Sequence, residues 1–271
     1  MSDQYIFVNL FGIAKEVLSS PLSIAIFSTS IAAFAGTWGA QLLAERTARR
    51  KEILREIRGV NAALSFASNI ANTYIVTKKQ HTKNLVAKYK QQRTDHESHY
   101  MRMNASAISA GTTFSLKLTL QTISLPYSPI AELQKTLLDL NNPSGRALLL
   151  LTPLTQSIEG FADVVKQRNA WIDEIKNTPD NDDTRRINLY FGTPYANNSV
   201  DDRYPKLMEA IEYYNDSCIG FSLILVNVLE EYGEKMAKEY GKHAPKIGRP
   251  SFEKASDLIP DLKKYLPWVK V

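Results

Sequence analysis

From Val17 to Ala44 the chain contains no Asp, Glu, Lys or Arg. That run exceeds the roughly 20 residues a helix needs to cross a hydrocarbon core about 30 Å thick. It carries Leu22, Ile24, Ile26, Phe27, Ile31, Phe34, Trp38, Leu42 and Leu43. Ser19 and Ser20 suit a helix cap and Pro21 suits the first turn. Trp38 lies near the far end, where an interfacial aromatic belongs. The competing reading is a buried helix of a water-soluble protein, because Ser23, Ser28, Thr29, Ser30, Thr37 and Gln41 make the run only moderately apolar. No Lys/Arg cluster precedes it, so it does not resemble a cleaved signal peptide.

The flanks give the run a direction. Only Lys15 precedes it, whereas Arg46, Arg49, Arg50, Lys51, Arg55 and Arg58 follow. The positive-inside bias places the long C-terminal part in the cytoplasm and the N-terminus outside. The same six cations are expected to contact anionic lipid head groups, at about 1 kcal/mol each near the surface. Net charge is +5, and residues 1–100 hold 13 Lys/Arg against 7 Asp/Glu, so the basic excess lies beside the uncharged run. One cysteine, Cys218, excludes an intrachain disulfide and a Cys-based zinc site.

Within the run Ser28, Ala32, Gly36, Ala40 and Ala44 recur every four residues, continuing to Ala48. On a helix they form one small-residue stripe, which allows close helix–helix approach in lipid and predicts a homo-oligomer. Residues 3–18 read as a short amphipathic segment that either lies in the outer interface or extends the helix.

Beyond the run, Ile53, Ile57, Val60, Leu64, Ala67, Ala71, Tyr74, Lys78, His81, Leu85 and Lys88 alternate spacings of four and three. This heptad-like seam predicts a stalk helix from Pro21 to about Arg93, packed on another copy or on later helices of the same chain. Period-two alternation in Phe114, Leu116, Leu118 and Leu120, and again in Ile187, Leu189 and Phe191, predicts a small two-stranded β element. Helices are predicted from Ser128-Pro129 to about Asn141, over 145–177 and over 203–240. Pro153 and Gly160 are expected to bend or weaken the second. The fold class is therefore mainly α: a transmembrane helix continuing into a stalk that packs in an elongated antiparallel bundle. The boundaries are 1–20 for the amphipathic segment, 21–44 for the span, 45–241 for the stalk and bundle, and 242–271 for a proline-rich C-terminal segment on the bundle.

The stretches "AFAGTWGAQLLAERTARRKEILREIRGVNAAL", "KKQH", "SGRALLLLTPLTQSIEGF", "RNAWIDE", "YFGTP", "VDDRYPKLMEAI", "DSC" and "RPSF" resemble a bacterial family of hypothetical, single-span, membrane-anchored helical proteins. The resemblance covers most of the chain. It implies a bacterial membrane setting and transfers no activity, cofactor or functional residue.

Chemical motifs are sparse. Asp95, His96, Glu97 and His99 cluster, and His96 with His99 fits one helical face, but a third ligand and an HExxH motif are missing; a solvated helix end is the commoner role. Cys218 falls on an apolar helical face, where cysteine is usually an inert hydrophobe. Phosphate-loop, dinucleotide and nucleophile-elbow motifs are absent. Glu230, Glu231, Asp201 and Asp202 read as solvated faces or helix starts. Lys78, Lys79, Lys83, Lys88, Lys90 and Arg93, with Tyr74 and Tyr89, form a basic stretch better explained as a solvated stalk than as a nucleic-acid surface. No catalytic residue, metal ligand or cofactor is assigned. The expected role is non-enzymatic: a membrane-anchored scaffold, docking or sensor protein with an unidentified protein partner. The alternative is a membrane-disturbing effector of antiviral defence or toxicity, triggered through the cytoplasmic domain.

Overall fold

The computed structural model describes residues 21–105, 117–140, 145–179, 182–193 and 200–269; the side chains of 21–36, 100, 102–105, 268 and 269 are not among them. Six α-helices occur among the described residues: α1 (Pro21–Thr77), α2 (Lys83–Ala105), α3 (Ile130–Leu138), α4 (Gly145–Lys176), α5 (Asp183–Phe191) and α6 (Arg203–Tyr240). A π turn, Lys78–Thr82, joins α1 to α2, and short 3₁₀ turns follow α6 at Glu253–Leu258, Leu262–Lys264 and Leu266–Val269. The chain divides into two units at Arg55/Glu56, within α1, and each is described by itself.

In the second unit α6 is the central helix. Every residue from Ser217 to Val226 is buried, as expected for a segment apolar on all sides. α4 runs alongside in the opposite direction. The Arg203 guanidinium at the start of α6 lies 3.9 Å above the Trp171 ring near the end of α4. Arg146, at the start of α4, approaches Glu231 far along α6 at 3.7 Å. Midway, Gly160 leaves room for the Tyr214 ring: a Cβ there would sit 2.5 Å from it. That glycine serves close helix approach. The part of α1 in this unit also runs opposite to α6, with Tyr232 donating to Glu56 at 2.6 Å and Asn215 donating to the Tyr74 carbonyl at 3.1 Å. Ile57, Val60, Leu64, Ala67, Ala71 and Tyr74 are buried, so the predicted seam packs on later helices of its own chain. Tyr74 meets Phe161 of α4 edge-on at 5.4 Å.

The seam changes phase at the π turn. A π turn holds one more residue than an α turn, so it rotates every later position. Extrapolated spacings put His81 and Lys88 inside; instead both are exposed, and Thr82, Leu85, Val86 and Tyr89 are buried. One buried side chain braces the widened turn: Asn215 accepts from the Thr82 hydroxyl at 3.4 Å while donating to the Tyr74 carbonyl. A side chain inserted at a helix ladder is a recognised cause of such irregularity.

The two-stranded β element is not present; no strand occurs among the described residues. Phe114 and Leu116 lie outside them. Residues 117–129 carry no regular secondary structure and pair with no strand. Side chains satisfy this backbone instead. Asn169 accepts from the Ile123 amide at 3.0 Å and donates to the Ile123 carbonyl at 2.8 Å, as a neighbouring strand would. Arg168 donates to the Gln121 carbonyl at 2.7 Å, and the Thr119 amide donates to the Tyr190 hydroxyl at 3.4 Å. The second expected strand is helix α5. The Asp182 carboxylate accepts from the Arg185 amide at 3.0 Å, capping the first turn, and Gly192 with φ 66° closes the last. These end signals outweigh a short alternation that a helix also tolerates.

The segment after α6 lies along the bundle. Asn61 donates to the Lys246 carbonyl at 3.0 Å and accepts from the Gly248 amide at 2.9 Å. Tyr265 packs over Gly220 and meets Phe221 edge-on at 5.1 Å; burial pushes its phenol up to about 12.

Candidate functional site

The first unit contains the sequence-predicted association positions and five of the six lipid positions; Arg58 belongs to the second unit. α1 begins at Pro21. Ser28, Ala32 and Gly36 fall on this helix, with side chains outside the described residues; Ala40 and Ala44 are exposed. So are Arg46, Arg49, Arg50, Lys51, Arg55 and Arg58. Every residue from Thr37 to Glu52 is exposed, including Trp38 at 66% and Leu43 at 67%. A helix turns about 100° per residue. Trp38, Leu42, Arg46, Arg49 and Arg50 therefore share one side. Ala40, Ala44, Lys51 and Arg55 fall on the opposite side. The five cations of this unit form two groups, and only the first continues an apolar face. Along the helix Gln41 donates to Glu45 at 3.2 Å, and the Thr47 hydroxyl donates to the Leu43 carbonyl at 2.8 Å.

Among the described residues, one helix is long and apolar enough to cross a membrane by length and composition, and it is α4. Its Leu150, Leu154, Phe161, Val165, Ile172 and Ile175 are buried in the bundle core. An apolar core helix meets the same criterion.

The basic stretch after Tyr74 is largely neutralised. Lys78 pairs with Asp216 at 2.6 Å, Lys83 with Asp257 at 3.2 Å, Lys90 with Glu212 at 2.8 Å and Arg93 with Glu97 at 2.9 Å. Tyr74 and Tyr89, the aromatics of that stretch, are buried. What remains is a cleft of about 210 Å³ beside the π turn, between Lys78, Lys83 and Lys90 on one wall and Glu212 and Asp216 on the other. Its charges already face one another.

Sequence reasoning missed Arg168, which is fully buried. Its Nη2 donates to the Tyr204 hydroxyl at 3.2 Å, and the guanidinium lies 5.8 Å from the Tyr204 ring centre. Tyr190, stacked on Tyr204 at 4.7 Å, donates to Gln92 at 2.9 Å. This chain of polar groups ties α2, the 117–129 segment, α4, α5 and α6 together. An arginine three residues after Val165 and four before Ile172, on the apolar face of α4, was its only signal.

The reactive candidates are occupied in packing. Burial pushes the Cys218 thiol well above its ordinary value, so it holds its proton. His96 stacks on Phe191 at 4.8 Å, and desolvation lowers its pKa. Among the described residues no group of three His, Cys, Asp or Glu side chains is arranged to hold a metal. Asp201 embraces the Arg203 guanidinium, which holds its carboxyl below the usual range. Asp202 pairs with Lys206 at 2.7 Å. These are helix-start contacts.

No protein-family model, curated protein or solved structure matches this chain. No family is thereby identified, and no residue role comes from a relative.

Proposed function

We propose that this chain is a membrane-anchored helical scaffold or docking protein. Residues 21–44 would cross the bilayer, and the bundle from residue 56 would lie on the cytoplasmic side. The single observation behind this reading is that α1 is exposed around its whole circumference from Thr37 to Glu52 while carrying Trp38, Leu42 and Leu43. Helices in water depend mostly on tertiary burial of an apolar face. Lipid supplies that burial here, and the Trp-to-Arg order along one face matches the passage from acyl chains to head groups. α4 makes a poorer anchor, because inserting it would strip the bundle of its core and carry Arg168 into hydrocarbon. The small-residue stripe then supports self-association in the span. The bundle contains a packed core and neutralised charges, which suits a docking role.

Full-length chain expressed in bacteria is expected to resist carbonate extraction. Replacing Ile26, Ile31 and Phe34 together with Lys, at about 2.5–3.5 kcal/mol per central charge, is expected to release it. Wild-type chain that stays dispersed in the aqueous fraction without detergent refutes the anchor. Protease added to spheroplasts is expected to leave the bundle intact; digestion there refutes the orientation.

A further inference from the structure

Two segments of the second unit are unusual in lacking acids. From Ile57 to Thr94 the sequence has no Asp or Glu, and from Gly241 to Phe252 it has none either. The fold sets these two segments side by side. Asn61 holds the backbone at Lys246 and Gly248 from both its amide and its carbonyl. Ile247 anchors the same stretch inward: a Cβ at Gly233 of α6 would meet Ile247 at 2.9 Å and Val60 at 3.1 Å. Between the segments lies a cleft of about 570 Å³ lined by Ser65, Ser68 and Asn69 on α1 and by Lys246, Arg249 and Pro250 opposite.

No carboxylate lines this cleft, which sets it apart from the cleft at the π turn. Lys246 and Arg249 are exposed cations on its rim. Arg249 spends one terminal nitrogen on Glu234, which orients the fork and leaves further donors. The Ser68 hydroxyl is buried and has no hydrogen-bond partner. A buried hydroxyl without a partner costs free energy, so a site that supplies one is favoured. Small donors and two cations on a lining without carboxylates make a receptor for a compact, multiply charged oxyanion. Charge-assisted hydrogen bonds of this kind are short and strong, and an arginine fork matches the geometry of phosphate oxygens.

We propose that this cleft binds a phosphate group, presented either by a small soluble phosphate ester or by an anionic lipid head group. The site does not depend on residues 21–44 crossing a membrane. The test uses the full-length chain in neutral detergent, titrated calorimetrically with inorganic phosphate and with glycerol 3-phosphate. A second arm uses the chain in nanodiscs of phosphatidylcholine with or without phosphatidylglycerol, read by the rate of hydrogen exchange at residues 61–69 and 246–250. Lys246→Gln with Arg249→Gln is expected to weaken binding by about tenfold or more, the loss of a charge-assisted hydrogen bond. Ser68→Ala removes an unpartnered hydroxyl, so it is expected to leave the fold intact while weakening binding several-fold. Saturable binding of the soluble esters that these variants weaken supports the proposal with a soluble ligand. Protection only in phosphatidylglycerol discs, lost in the cleft variants but kept when Arg46, Arg49 and Arg50 are changed to Gln, supports it with a lipid source. Absence of both signals, or signals untouched by the cleft variants, overturns it.

Discussion

Gly220 offers a test in which the sign of a mutation reverses with its surroundings. In an ordinary helix interior, Gly→Ala stabilises by about 1 kcal/mol through backbone entropy. At position 220 of α6 an added Cβ would lie 2.5 Å from a carbon of the Tyr265 ring, against a normal carbon–carbon contact of about 3.5–4.0 Å. The ring must retreat by about 1 Å. It has little freedom to do so, because it is 9% exposed and sits edge-on to Phe221 at 5.1 Å. Overpacking of this sort costs about 1–3 kcal/mol, and loss of the aromatic pair a further 0.5–1.5 kcal/mol or so. Set against the propensity gain, Gly220→Ala is expected to destabilise by about 0.5–3.5 kcal/mol. In a Tyr265→Ala background the obstruction is gone, and the same change is expected to stabilise by about 1 kcal/mol. Equilibrium urea unfolding followed by far-ultraviolet circular dichroism, run on the wild type, both single variants and the double variant, measures the coupling. Equal stabilisation by Gly220→Ala in both backgrounds refutes the packing of the C-terminal segment on α6.

Three further outcomes follow from the described contacts. Asn169→Ala removes both polar partners of Ile123, a buried position; a loss of about 1–3 kcal/mol in unfolding free energy and faster amide exchange at Ile123 are expected, and unchanged exchange there counts against side-chain satisfaction of the 117–129 backbone. His96 has its pKa lowered by desolvation in the folded chain. Its neutral form is therefore the one folding favours, and stability is expected to fall as pH drops below the unfolded value of about 6.5. His96→Phe is expected to flatten that part of the pH profile; an unaltered profile rules out the stacked, half-buried histidine as its source. Gly192→Ala places a side chain at φ 66° and 3.0 Å from the Asp201 carbonyl, so thermal unfolding is expected at lower temperature by an amount equivalent to about 1–2 kcal/mol; no change indicates that α5 does not end in a left-handed residue.

Periodicity gave the long helices almost to their ends. The predicted 145–177 and 203–240 correspond to Gly145–Lys176 and Arg203–Tyr240, because long amphipathic repeats leave one way to bury an apolar face. It failed over residues 183–191, where a three-residue alternation outweighed an Asp cap and a closing Gly that were both present in the sequence. It also failed over 117–123, for a different reason. That segment forms no strand; its backbone partners are Arg168 and Asn169 of α4, and spacing along one segment carries no record of them. Of the candidate sites, the arginines after the charge-free run were legible as a group. Their division into two faces needed only helical geometry, whereas the acid-free cleft required knowing that residues 246–250 return to Asn61.

By itself the chain's order of residues determined that it is helical, that its first described helix changes from uncharged to arginine-rich near Ala44, and that two long amphipathic helices lie near 145–177 and 203–240. These are local quantities, set by side-chain period and by charge, and they survive without knowledge of any neighbour. Tertiary structure alone decided that the seam of α1 turns at the π turn, that Arg168 is enclosed with tyrosines, and that the basic stretch meets Asp216, Glu212 and Asp257. Each depends on groups far apart along the chain. Charge neutralisation and hydrogen-bond satisfaction are properties of who ends up adjacent, and adjacency is fixed by how the core closes.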